Sequence, residues 1–283
     1  MKLSEMKQIL VARELRLTKS LGQNFLHDAN QLQRIVAAAK LTPSDRVLEI
    51  GPGLGPLTEL LLGQAGQVLA IEKDQRLVSI LKERLAGAAN LELVHADALS
   101  YLKSTRDWHG WKVVSNLPYS VGSPLVVELS QTPRAPALLV VTLQLEVVHR
   151  IAAQAGSDDY GLLSLLVQLR FEPVGQFKIP ATCFFPAPDV DSGCITLANR
   201  PDPLLPFSAE ADFTKIVKKA FSQRRKMMFK LLKEDWPEVQ LEAAFSEASL
   251  PASIRAEMVS LEQFVQITRA LSPGIENAPV QPC

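Results

Sequence analysis

The chain has 283 residues, room for one large domain and a smaller companion at the usual ~100–200 residues per domain. Hydrophobic residues make up 47% and charged residues 21%, the balance of a soluble globular protein, and no apolar run approaches the ~20 residues that cross a bilayer. Basic and acidic residues number 30 each, which excludes a uniformly basic polyanion binder and leaves only a local patch for that purpose.

The opening stretch, MKLSEMKQILVAREL, carries acidic residues and lacks both an unbroken apolar core and a small-residue cleavage site, so it does not read as a secretion signal. A cytoplasmic chain is expected. Cys183, Cys194 and Cys283 contain no C-x-x-C pair, which suits a reducing compartment. His27, His95, His109 and His149 show no ligand-type spacing, and no metal site is expected.

Strand and helix patterns alternate through the first two-thirds. Arg46–Ile50 predicts a strand, Leu57–Leu62 a helix after a Gly/Pro turn, Gln67–Ile71 a second strand and Asp74–Leu85 a second helix. Leu91–Val94, Val113–Val114 and Ala137–Leu143 predict three further strands, and Leu162–Leu169 and Gly193–Leu197 two antiparallel edge strands. Apolar strands separated by helices imply a doubly wound parallel α/β sheet. The proline-rich stretch 200–206 reads as a linker that separates a domain at 1–199 from a small all-α domain at 207–272, with a flexible tail at 273–283.

The first strand leads into Gly51-Pro52-Gly53-Leu54-Gly55, where glycines allow a ligand close to the backbone. Pro56 stands where the dinucleotide pattern G-x-G-x-x-G needs a third glycine, which favours a nucleoside ligand over a pyrophosphate. Glu72, about twenty residues on at a strand end, sits where α/β folds hold ribose hydroxyls. Asp97, after the third strand, can accept a hydrogen bond from an adenine amine.

These features, in this order with Ser20-Leu21-Gly22-Gln23-Asn24-Phe25-Leu26, Asn116-Leu117-Pro118-Tyr119, Tyr160-Gly161-Leu162-Leu163-Ser164, Phe184–Ser192 and Phe221–Lys226, resemble the ribosomal small-subunit RNA adenine dimethyltransferases over residues 15–270. The resemblance implies a class I, Rossmann-like, S-adenosylmethionine (SAM)-dependent methyltransferase domain and a helical carboxy-terminal domain. It implies a cofactor site lined by Asn24, Leu26, Gly51, Gly53, Glu72, Asp97 and Asn116. The implied substrate is two adjacent adenines near the 3′ end of small-subunit RNA, met by a monomer on a pre-30S-like particle. In that setting Asn116 and the Leu117 carbonyl accept the N6 hydrogens, Pro118 fixes the turn and Tyr119 stacks on the extruded base. Phe184 is expected as the second stacking face, with Phe185 in the core.

From Thr214 to Lys233 the chain has eight basic residues and no acid, so Arg224, Arg225 and Lys226 are the expected RNA contacts, with Arg13, Arg16, Lys19 and Arg150 as additions. The sequence departs from its relatives at Leu17-Thr18 and Leu145, where basic residues are frequent. Three other readings stay open: a large-subunit adenine methylase of the antibiotic-resistance type, a DNA adenine methylase, and a non-catalytic assembly or transcription factor. The Ser20–Phe25 and Val190–Ser192 stretches argue against the first, and the intact Glu49, Glu72, Asp97 and Asn116 set against the last.

Overall fold

The structure, a computed structural model, describes residues 1–15, 23–105, 107–223 and 225–272. Arg16, Lys19, Arg224, the Ser20–Gly22 part of the amino-terminal motif and the 273–283 tail lie outside the described residues. The chain forms two compact units, one of residues 1–148 with 173–199 and one of residues 149–172 with those from 200 onward.

In chain order the first unit contains α1 (Leu3–Ala12), β1 (Phe25–Leu26), α2 (Ala29–Ala39), β2 (Arg46–Ile50), α3 (Pro56–Leu62), β3 (Gln67–Glu72), α4 (Gln75–Arg84), β4 (Leu91–His95), α5 (Ala98–Ser104), β5 (Trp111–Asn116), α6 (Gly122–Ser130) and β6 (Leu138–Gln144). Next come α7 (Leu145–Ala152), α8 (Leu162–Gln168), β7 (Phe171–Ile179), β8 (Phe184–Phe185) and β9 (Ser192–Asn199); α7 and β7 run across the boundaries between units. The second unit continues with α9 (Glu210–Ala220), α10 (Met228–Leu232), α11 (Glu238–Glu247) and α12 (Leu261–Leu271).

The main sheet has the order β4-β3-β2-β5-β6-β9-β7. The five strands from β4 to β6 are parallel, and β9 returns antiparallel to β6. The predicted α/β class holds, and the Gly193–Leu197 strand lies within β9. Strands β2 and β3 are buried almost throughout because helices cover both faces, which is why they read as mostly apolar runs. Helix α2 buries Leu32, Ile35, Val36 and Ala39, a stripe at i, i+3, i+4 and i+7. A small antiparallel pair, β1 with β8, sets Phe25 opposite Phe185 and Leu26 opposite Phe184.

Two expectations fail here. Leu162–Leu169 is mostly helix α8, not an edge strand. The division at residue 199 misses residues 149–172, because Tyr160, Leu165 and Leu169 are buried in one cluster with Phe213, Val217 and Phe264 of the helical unit. Leu205, inside the expected linker 200–206, belongs to the same cluster and is 2% exposed. Leu204 and Leu205 thus anchor the stretch on the helical core, while Pro201 and Asp202 stay exposed.

Candidate active site

Strand order reverses between β2 and β5, and open α/β sheets bind ligands at the carboxyl ends of the strands at such a reversal. The β2–β5 register stops at Leu48–Val113, whereas β2–β3 continues to Ile50–Ile71 and β5–β6 to Asn116–Thr142. The two strand ends therefore part. The loops after them line one cavity of about 160 Å³, together with Asn24, Leu26, Glu72 and Asp97.

Gly51 and Gly53 have φ of +68° and +62°, in the left-handed region that other residues avoid. A Cβ on Gly53 would lie 2.8 Å from the Phe25 ring, and one on Gly51 3.3 Å from Pro118 Cγ. The loop is thus bracketed between the amino-terminal motif and the Asn116–Tyr119 turn. Gly53 N donates to Glu72 Oε2 at 3.2 Å, and Asp74 N donates to Glu72 Oε1 at 2.9 Å. Pro56 opens α3 without an N–H. With one loop amide committed to a carboxylate and another missing, the loop is a poor pyrophosphate cradle.

Burial raises the Glu72 pKa above the usual carboxylate range. It pushes Glu49, 1% exposed, up to about 8, and Glu49 Oε2 has no partner among the described residues. Asp97 behaves oppositely. Its Oδ2 meets Lys73 Nζ at 2.9 Å and its Oδ1 accepts from Ser100 N at 3.0 Å as the cap of α5, and the lysine contact, aided by the cap, lowers its pKa. Asp74, held near 2 chiefly by Arg76, caps α4 and accepts from Gln23 Nε2 at 3.0 Å. That bond ties the amino-terminal motif to the cavity wall.

Asn116 ends β5. Its Nδ2 donates to the Asn24 carbonyl at 3.2 Å, while its Oδ1 is buried without a partner among the described residues. Leu117 is buried and its N–H donates to the Thr142 carbonyl at 3.2 Å. The Tyr119 hydroxyl is hydrogen-bonded to Ser192 Oγ, so the ring is held by its far end and remains half-buried.

The cavity thus gathers Asn24, Leu26, Gly51, Gly53, Glu72 and Asp97 with Asn116–Tyr119. Phe184 is a correction. It is 3% exposed, packs in the core with Leu32 and Ile179, and does not line the cavity. Phe185 is the half-buried one, packed toward α1 with Lys7 Nζ 5.1 Å from its ring centroid. Adjacent strand residues face opposite ways, and pairing with β1 turned Phe184 inward. Lys73 and Leu99 also line the cavity and were not anticipated; adjacency to Glu72 was the available signal for Lys73.

In the second unit Arg225 and Lys226 are exposed. Much of the surrounding basic charge is answered: Lys219 pairs with Glu234 and Asp235, Lys233 with Glu238, and Lys215 lies over Trp236. In the first unit, Arg13 pairs with Glu83.

A parallel sheet whose glycine loop and acidic strand ends meet in one crevice at the strand-order reversal defines a Rossmann-like α/β domain with a ligand site at its switch point. The family model for ribosomal RNA adenine dimethylase matches residues 14–272, and the chain belongs to that family. It is 40% identical to ribosomal RNA small subunit methyltransferase A of Pelotomaculum thermopropionicum over 268 residues, 88% of this chain and 89% of that one. The same-named protein of Enterococcus faecalis is 37% identical, covering 98% and 97%. Among solved structures, the 23S rRNA methyltransferase ErmE is 30% identical with a TM-score of 0.68, covering 88% of this chain and 99% of that one. A dimethyladenosine transferase from Plasmodium falciparum, 24% identical over 86% of this chain and 95% of that one, shares the fold with a TM-score of 0.71.

Proposed function

We propose that this adenine dimethyltransferase acts on small-subunit ribosomal RNA, placing two methyl groups on N6 of each of two adjacent adenines near the 3′ end. Its partner in this reading is a late pre-30S-like particle, met by a monomer in the cytoplasm. The names of the relatives at 37% and 40% identity support the small subunit as substrate. The observation that carries the residue roles is the buried Asn116 Oδ1, without a partner among the described residues, on the cavity that also holds the glycine loop and Glu72.

The carboxylates and bracketed glycines fit a nucleoside such as SAM: Glu72 takes the ribose hydroxyls, Asp97 the exocyclic amine, and Asn24, Leu26, Gly51 and Gly53 form the cradle. Bound SAM supplies a methyl group on a positive sulfonium, so the protein's own task is to aim the acceptor. Adenine N6 is a poor nucleophile because its lone pair is delocalised into the ring. Asn116 Oδ1 accepts one N6 hydrogen and the Leu117 carbonyl the other, which favours a more tetrahedral nitrogen and holds it in line. Pro118 fixes the turn that presents these acceptors. No strong base is required, because the N6 proton becomes acidic once the nitrogen carries positive charge.

Tyr119 offers its face to the extruded base, and stacking of this kind contributes roughly 1–3 kcal/mol, comparable to the unstacking cost. Arg225 and Lys226, with Arg224, contact phosphates. Incubation with labelled SAM and immature small subunits, large-subunit RNA or DNA, followed by mapping of modified nucleotides, tests the reading. Adjacent dimethyladenosines in small-subunit RNA are expected. Modification confined to large-subunit RNA, the substrate type of the ErmE relative, or to DNA would overturn it.

A further inference from the structure

We infer that Ser115 is a positioning residue for methyl transfer, its hydroxyl bolting the end of the cofactor-loop strand to the end of the adenine-clamp strand. The inference rests on the roles proposed for the glycine loop and Asn116. Where the β2–β5 ladder stops at Leu48–Val113, the backbone of Ile50 still faces β5 and has no β5 partner in register. Ser115 fills the gap with one atom. Its Oγ donates to the Ile50 carbonyl at 2.5 Å and accepts from Ile50 N–H at 3.3 Å, and the side chain is 0% exposed.

The position gives this bond its meaning. Ile50 immediately precedes Gly51, and Ser115 immediately precedes Asn116. The hydroxyl therefore spans the floor of the crevice between the loop that cradles the donor and the amide that holds the acceptor. On their outer sides both strand ends are fixed independently, β2 to β3 through Ile50–Ile71 and β5 to β6 through Asn116–Thr142. Between them, the Ser115 bond and the approach of Pro118 to Gly51 set the separation. Alanine at 115 would leave a buried N–H and a buried carbonyl unpaired, and the two ends would shift to satisfy them. Each half-site would keep its own geometry, but their spacing would change. A misplacement of ~1 Å is enough to cost on the order of 100-fold in rate.

The test is single-turnover methylation on saturating RNA, with SAM affinity measured by calorimetry, for Ser115→Ala, Ser115→Cys, Asn116→Ala and Ser130→Ala. Ser130 is a buried hydroxyl bonded to the Val126 carbonyl at the far end of α6, and its loss should leave the rate unchanged. Ser115→Ala should slow transfer about 10- to 100-fold while SAM affinity stays within about 3-fold, with Ser115→Cys intermediate. A wild-type rate for Ser115→Ala overturns the inference, and so does an equal loss of rate and SAM affinity, the mark of a purely structural residue. Should the alanine chain fail to bind SAM, the cysteine variant decides: a slowed rate with SAM affinity kept supports the bolt, and both lost or neither lost overturns it. An active Asn116→Ala would refute the clamp itself. A dead Asn116→Ala beside a wild-type Ser115→Ala would refute only the role of Ser115.

Discussion

Gly53→Ala probes how tightly the cofactor loop is held. Gly53 sits at φ +62°, where an L-residue pays about 1–2 kcal/mol. Its new methyl would stand 2.8 Å from Phe25 Cδ1 and Cε1, well inside contact distance. The ring cannot simply retreat, because Phe25 is 7% exposed and packed with Met6, Leu10 and Leu54. Overpacking of this kind costs typically about 1–3 kcal/mol. The loop can relieve it only by moving away from Phe25, which strains the 3.2 Å bond from Gly53 N to Glu72 Oε2. Even half of the combined cost appearing in the bound state weakens SAM binding about 10-fold, since 1.4 kcal/mol is a factor of ten. Calorimetric titration with SAM and thermal melting are the assays, with Gly87→Ala as the control, since a Cβ there meets nothing within 4 Å among the described residues. A Gly53→Ala chain that binds SAM within about 2-fold of wild type and melts at the same temperature would refute the bracketed loop.

Three further outcomes are expected. Tyr119→Phe loses the bond to Ser192 Oγ but keeps the ring, so RNA turnover should drop several-fold, in line with a net hydrogen bond of about 1 kcal/mol, with SAM affinity unchanged. Equal losses in both would contradict a stacking role. Burial raises Glu49 from 4.5 to about 8, so its neutral form stabilises the fold fully below pH 4.5, and that contribution is lost as pH climbs through about 8. Glu49→Gln has no such slope, so its melting temperature should gain on wild type across that window; parallel melting-temperature profiles would rule the shift out. Arg225→Glu with Lys226→Glu should flatten the salt dependence of RNA binding, the slope falling by about 1 for each phosphate no longer neutralised, and identical salt slopes would remove these residues from the interface.

The parallel strands were legible because burial on both faces leaves mostly apolar runs such as RVLEI and QVLAI. The carboxylates were legible because Glu72 and Asp97 fall where strands end, although nothing local announces that Asp97 also caps α5 and pairs with Lys73. Leu162–Leu169 misled because a short apolar run suits a buried helix as well as a strand. Strand β7 went unread because Pro173 and Gly175 interrupt it and most of its residues are not buried. The second unit's claim on residues 149–172 depends on burial of Tyr160 and Leu165 with residues forty or more positions away, such as Leu205, Phe213 and Phe264, which no local pattern encodes. Phe184 and Phe185 are the same residue side by side, and only pairing with β1 decides which is buried. The basic segment looked unopposed because Glu234, Asp235 and Glu238 lie just past its end and fold back onto it.

The central claim is that one crevice between β2 and β5 holds donor and acceptor through separate residues, with Asn116 serving the acceptor. Asn116→Ala, assayed for methyl transfer to immature small subunits and for SAM binding on the same preparation, tests it most directly. The geometry predicts loss of transfer with only modest weakening of SAM affinity, since Asn116 contributes one bond to the Asn24 carbonyl and Glu72 keeps both of its own. Transfer at the wild-type rate would contradict it.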